Sequence, residues 1–521
     1  MDTAIKYPIG IQTFSEIITE GYLYIDKTEL IYRLVKENKY VFLSRPRRFG
    51  KSLLVSTIEE YFKGHKELFS GLAIARKETD WKKYPIIRFD FSGENYDDHT
   101  RLTELISAKL SNYEAIYGRN PEDKSIGMRF NRLIHNMRIS SDERVVILID
   151  EYDKPLLDVL HDDGKHELTR RELEGFYSNI KKCDADIRFA LLTGVGKFGH
   201  VSIFSGLNNL NDISLMPRYN ALCGISESEF HQCFAPSVTS FATTNGIDEN
   251  ETWALFKTKY DGYHFAKTGE DIYNPFSVLN AFAKEELGNY WFASGTPGFL
   301  VKIMKKNKSD LSDIEGVMLT EDDLSDLTNP AANYHALFFQ AGYLTIKGYD
   351  KPTERYLLDF PNEEVRSGFW RSFYKQYVFD GTPRRTFDIF NFLDDIKQGN
   401  PEGFMTRIQA LVAEISPGID RGREVHFQNV MQIIFKMLGQ MVHTEIESAN
   451  SRCDMTVETP SYVYVMEFKI NSSPLTAIAQ IKSKGYAHRF VADQRTIFLI
   501  GANFSTATNE LDSFLIEQFE R

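Results

Sequence analysis

Continuous apolar runs that stop abruptly at polar residues recur along the N-terminal part of the chain. Tyr40-Val41-Phe42-Leu43 leads into a basic turn, Val145-Val146-Ile147-Leu148-Ile149 stops at Asp150-Glu151, and Phe189-Ala190-Leu191-Leu192 stops at Thr193-Gly194. Runs without alternation suit parallel strands buried on both faces. The pattern predicts strands at about 40–44, 85–91, 144–150 and 187–193, with helices at 51–63 and 166–182. Such alternation means a parallel sheet flanked by helices. From about 226 to 350 the pattern turns mainly helical. Beyond 360 it is helix-rich to about 415, then reads as a helix, three strands, a helix, a strand and a closing helix.

At 521 residues the chain is too long for one core. The patterning divides it into a sheet-forming part at 1–225, a mainly helical lid or winged-helix-like part at 226–360 and a C-terminal α/β part at 361–521. With 42% hydrophobic residues the chain can bury a core in each part, and no stretch is biased toward disorder. The four cysteines, Cys183, Cys223, Cys233 and Cys453, lack C-x-x-C spacing, which argues against a zinc cluster or disulfide framework. No apolar signal core opens the chain, and no apolar run approaches the roughly 18 residues that span a bilayer, so a cytoplasmic protein without a membrane partner is expected. A net charge of −12 excludes a protein that coats nucleic acid indiscriminately, because such binding depends on basic surface.

Candidate chemistry begins at Arg45-Pro46-Arg47-Arg48-Phe49-Gly50-Lys51-Ser52-Leu53, between a strand and a helix. A helix N-terminus offers free N–H groups and a favourable dipole to anions, and glycine lets backbone approach phosphate closely. Arg47, Arg48, Phe49, Gly50, Lys51, Ser52 and Leu53 are therefore candidate ATP-binding residues, with Lys51 reaching the outer phosphates and Ser52 ligating Mg²⁺. Arg45 stands where the usual loop has its first glycine. Asp150, at the tip of the next apolar run, is the expected partner of Ser52 in holding the metal, and Glu151 the residue that polarises the attacking water. Thr193 is a candidate sensor of the terminal phosphate.

Taken with Tyr24-Ile25-Asp26-Lys27-Thr28, Asp150-Glu151-Tyr152-Asp153-Lys154-Pro155, Tyr260-Asp261-Gly262-Tyr263-His264-Phe265 and Asn289-Tyr290-Trp291-Phe292, the chain resembles a bacterial AAA-ATPase-like family. Arginine at the first glycine position is a habit of that family. The resemblance implies an α/β fold, a P-loop NTPase parallel sheet with a helical appendage. It also implies a C-terminal α/β nuclease-like domain of the PD-(D/E)XK superfamily.

That second domain directs attention to Asp454 and to Tyr462-Val463-Tyr464-Val465-Met466-Glu467-Phe468-Lys469. Strand periodicity sets Val463, Val465, Glu467 and Lys469 on one face, and burying either charge alone is costly. In the PD-(D/E)XK pattern, Asp454, Glu467 and the Phe468 carbonyl would ligate Mg²⁺ while Lys469 orients or deprotonates water. Glu445, on a strand candidate at 442–446, and Glu424, opening a helix, are accessory acids. Gln480 and Tyr486 match the family segment that lies near the metal or the nucleic-acid backbone. Together these features point to an ATPase coupled to a metal-dependent nuclease, with DNA ahead of RNA as substrate and a homo-oligomer left open. The alternative is a nucleotide-dependent switch whose C-terminal domain binds nucleic acid or a protein without cutting.

Overall fold

The computed structural model describes residues 5–98, 100–160, 162–197, 209–293, 300–301, 304, 314–325, 333–374, 389–414, 433–434, 436–437, 455–508 and 510–520. Asp454, Glu424, Glu445 and the 442–446 strand candidate lie outside them. The chain forms two compact units, one of residues 1–295 and 315–366 and one of 296–314 and 367–521.

The first unit is built on five parallel strands: β1 (Tyr40–Ser44), β2 (Ile86–Asp90), β3 (Val145–Asp150), β4 (Ile187–Gly194) and β5 (Asn211–Asp212). Their order is β2-β3-β4-β1-β5. Every residue of β1 and β3 is buried, which accounts for their unbroken apolar runs. Because β4 lies between β1 and β3, pairing Ser44 with Gly194 and Ile149 with Leu192, three strand tips meet at one sheet edge. The helix Lys51–Phe62 leaves that edge from Gly50, whose φ of 92° favours glycine. Helices Thr100–Tyr117 and Ile126–Ser141, absent from the coarse sequence pattern, join β2 to β3. Their apolar stripes are interrupted by a buried Arg129–Glu114 ion pair at 2.7 Å.

The region after β6 (Ile225–Ser226), which pairs with β7 (Ile272–Tyr273), belongs to the same compact unit as the sheet. Helices Glu227–Asn245, Glu249–Tyr260 and Pro275–Lys284 enclose an aromatic core of Phe230, Phe234, Phe241, Phe256 and Phe282. A capping box of Ser226 and Glu229 opens the first of them. The region also carries β8 (Val317–Leu319), β9 (Thr345–Asp350) and β10 (Arg355–Asp359), an antiparallel sheet that the mainly helical expectation did not include.

The second unit contains β11 (Met455–Glu458), β12 (Tyr462–Ile470), β13 (Thr496–Ser505) and β14 (Glu510–Gln518) in sequential order. β12 and β13 are parallel, and the outer pairings are antiparallel. The expected closing helix is instead β14. The helix Pro474–Lys484 crosses from β12 to β13 and covers Val463, Val465, Ile497 and Leu499 with Ile478 and Ile481. Gly501 permits this close packing, since a Cβ there would lie 2.4 Å from the Pro474 carbonyl oxygen and 2.9 Å from Ile478. No helix among the described residues is long and apolar enough to cross a membrane.

Gly501→Ala is expected to destabilise the second unit by the roughly 1–3 kcal/mol that overpacking costs, seen as a lower thermal midpoint. An unchanged melting curve would contradict the close packing inferred here.

Candidate nucleotide and phosphodiester sites

The loop after β1 is held by its own side chains. Arg45 is buried and donates to the carbonyls of Ser44 at 2.9 Å, Ser214 at 2.7 Å and Tyr219 at 3.2 Å, with its guanidinium 4.3 Å from the Phe265 ring centre. A side chain thus fastens the entrance that a glycine turn would otherwise shape. Burial lowers the Arg45 pKa to about 10. Arg48 and Gly50 adopt left-handed backbone, with φ of 69° and 92°. Lys51 Nζ, also buried, donates to the carbonyls of Arg45 at 2.9 Å and Pro46 at 3.1 Å. Arg47 and Arg48 are exposed, Ser52 and Leu53 half-buried, and Phe49 is buried against Tyr263 and Phe265. The aromatic turn at 263–265 therefore packs beneath the loop.

Asp150 and Thr193, on adjacent strands, are brought together: the Thr193 hydroxyl donates to Asp150 Oδ1 at 2.6 Å, and both residues are buried. Glu151 follows with φ of 52°, a left-handed conformation that costs a non-glycine residue about 1 kcal/mol or more. Asp153, within the quoted motif but given no role from sequence, is buried and accepts the N–H groups of Val195 at 3.0 Å and Gly196 at 2.6 Å. It ties the end of β4 to the turn after β3. Its position before Lys154-Pro155 looks like an ordinary helix cap, yet its side chain makes no cap bond. Burial raises its pKa to about 6, opposed by the Gly196 N–H; Glu151 raises it further and Lys51 lowers it. Two arginines of this unit are engaged away from the loop: Arg188, near the start of β4, donates to Val35 O at 3.1 Å, and Arg218 pairs with Glu37 at 3.1 Å.

An apolar cavity of about 100 Å³ adjoins Gly50. Leu23, Tyr24, Leu53, Leu54, Cys223 and Ile225 contribute to its wall.

In the second unit Glu467, Lys469, Gln480 and Tyr486 form one hydrogen-bonded group. Lys469 Nζ donates to Glu467 Oε1 at 2.9 Å and to Gln480 Oε1 at 2.7 Å, while Gln480 Nε2 donates to Glu467 and lies 3.4 Å from the Tyr486 hydroxyl. The buried Glu467 carboxylate thereby sits among donors rather than alone. Asn503, opposite Lys469 in register, accepts the Ser472 N–H at 2.7 Å and steadies the approach to the helix that carries Gln480. Asn503 had no role from sequence, because its place opposite Lys469 exists only in the folded sheet. Among the described residues no group of three or more acidic, histidine or cysteine side chains could hold a metal ion.

Strand order, phosphate-type loop and acid-tipped neighbour make the first unit a P-loop ATPase fold, and the second unit pairs with it a mixed sheet bearing a Glu-x-Lys strand. The family model described as "Predicted AAA-ATPase" matches residues 8–204, and that of the PD-(D/E)XK nuclease superfamily matches residues 422–513. The chain belongs to this AAA-ATPase-like family with a C-terminal PD-(D/E)XK nuclease-superfamily domain. It is 38% identical over 526 residues to an uncharacterized protein in the vnfD 5' region of Azotobacter chroococcum mcd 1, a match covering 98% of this chain and 99% of that relative.

Asp153 has a pH signature. Its folded pKa of about 6 exceeds its ordinary 3.8, so between those values the folded chain keeps a proton that the unfolded chain has released. This group's stabilising effect is full below 3.8 and is lost as pH rises through about 6. The loss amounts to about 3 kcal/mol. Urea midpoints of wild type relative to Asp153→Asn should fall between pH 4.5 and 7.5; a constant gap would contradict the burial-raised carboxyl.

Proposed function

We propose that the protein binds and hydrolyses ATP at its N-terminal unit and that this turnover governs a Mg²⁺-dependent nuclease domain acting on nucleic acid, DNA ahead of RNA. The observation that carries this reading is the insertion of β4 between β1 and β3, which makes the Lys51 loop, Asp150, Glu151 and Thr193 neighbours along one sheet edge. The carboxyl ends of parallel strands are where such sheets bind ligands. ATP would supply the phosphoanhydride and its Mg²⁺ the charge that balances the phosphates.

Each residue then has a task. Arg47, Arg48, Phe49 and Gly50 would present backbone N–H groups to the phosphates. Lys51 would exchange the Arg45 and Pro46 carbonyls for phosphate oxygens. Ser52 and Asp150 would hold the metal, Glu151 would accept a proton from water, and Thr193 would turn its hydroxyl from Asp150 to the terminal phosphate when nucleotide binds. Leu53 and the adjoining cavity, apolar and one residue from Ser52, suit the flat face of the base.

In the second unit, Asp454, Glu467 and the Phe468 carbonyl would supply an all-oxygen donor set of the kind Mg²⁺ takes, with Glu445 and Glu424 as candidate accessory acids. A bound Mg²⁺ would polarise the scissile phosphodiester. Lys469 would orient water and exchange protons through Nζ, and Gln480 would fix that ammonium relative to Glu467. Tyr486 would extend the group toward the nucleic-acid backbone.

Three substitutions test the assignment. Lys51→Ala should abolish ATP binding, read by titration calorimetry. Glu151→Gln should keep binding while ATP turnover falls by roughly 10²–10⁴, the usual worth of a general base. Lys469→Ala should remove Mg²⁺-dependent cutting of single- or double-stranded substrates and leave ATP turnover unchanged. Binding of DNA without cutting by wild type in Mg²⁺ or Mn²⁺ would instead support the switch reading.

A further inference from the structure

A loop that directs N–H groups at phosphate must turn its carbonyl oxygens away, and each of those needs a donor. Lys51 bonds the carbonyls of Arg45 and Pro46, the bonds it would exchange for phosphate oxygens, so the donors that persist must come from elsewhere. The carbonyl of Arg47 accepts the indole N–H of Trp291 at 2.9 Å across 244 residues of sequence. The carbonyl of Phe49 accepts the Gly224 N–H at 3.1 Å.

Trp291 is itself fixed. It is buried, its backbone N–H donates to Glu364 Oε1 at 2.8 Å and to Ser277 Oγ at 3.2 Å, and its ring packs edge-on to Tyr343 at 5.3 Å. Neighbouring parts of the same region grip the flanking loop residues. The Arg48 guanidinium lies 4.8 Å from the Phe276 ring centre, and a Cβ on Gly342 would fall 2.5 Å from Pro46.

We infer that Trp291 is a positioning residue of the nucleotide site, its indole N–H holding the Arg47 carbonyl outward so that the adjacent N–H groups converge on the phosphates. The inference rests on the ATP reading above. A donor that shapes the phosphate cradle, rather than the base pocket, must affect every ligand carrying the phosphate chain. Inorganic triphosphate and ATP should respond alike.

Trp291→Phe keeps an aromatic ring and removes the donor. Calorimetric titration of the full chain with Mg²⁺-ATP and with inorganic triphosphate should show affinity for both falling roughly three- to tenfold, the worth of one neutral hydrogen bond, with the thermal midpoint near that of wild type. A wild-type affinity for both overturns the inference, as does a loss confined to ATP. Should the phenylalanine variant melt early, site-specific replacement of Trp291 by 3-benzothienylalanine, which keeps the bicyclic shape without the N–H, decides the matter: the same loss supports the role, and wild-type binding overturns it. Lys51→Ala run in parallel separates the two levels. Wild type and Lys51→Ala binding alike would remove the ATP site itself, and the role of Trp291 with it.

Discussion

The backbone of a phosphate-type loop has two sides with opposite needs. One side must be left as bare N–H groups for an anion, so the carbonyls on the other must find donors within the protein. Here two of those donors come from far along the chain: Gly224 from just before β6, and Trp291 from beyond the aromatic core. Arg45 completes the arrangement from the loop's own entrance by tying Ser44 to Ser214 and Tyr219. The loop is consequently a product of the whole first unit, which explains why the region after residue 226 packs into one compact body with the sheet.

Both units meet the cost of burying charge in the same manner. Asp150 takes the Thr193 hydroxyl, Asp153 takes two backbone N–H groups, and Glu467 takes Lys469 and Gln480. Asp150 and Asp153 lie at or just past the carboxyl end of β3, whereas Glu467 lies within β12, three residues before its end, and takes its donors from Lys469 on the same face and from the covering helix. Each acid is partnered because a buried site has no room for an unpaired carboxylate.

What sequence discloses follows from how local each feature is. Strands buried on both faces leave unbroken apolar runs, so β1, β3 and β4 are legible, and Lys51, Asp150 and Glu151 follow as the polar residues at their tips. Glu467 and Lys469 are legible because alternation sets two charges on an otherwise apolar face. Asp153 hides behind a resemblance to a helix cap, and Trp291 behind a separation that no local pattern spans. β14 misleads for another reason: Leu511, Phe514 and Leu515 follow helical spacing, but the segment pairs with β13 through a register shift near Asn503. Tertiary pairing overrides local period there.

That last strand also changes the character of the second unit's border. With β14 in place, β13 has a strand on both sides, and the last strand in the sheet's order carries Glu510, Asp512 and Glu517. Glu517 is paired with Lys482, but Glu510 and Asp512 leave acidic charge on that strand, which discourages a second copy from pairing beside it. The charge on β14 thus guards the border that the strand itself creates.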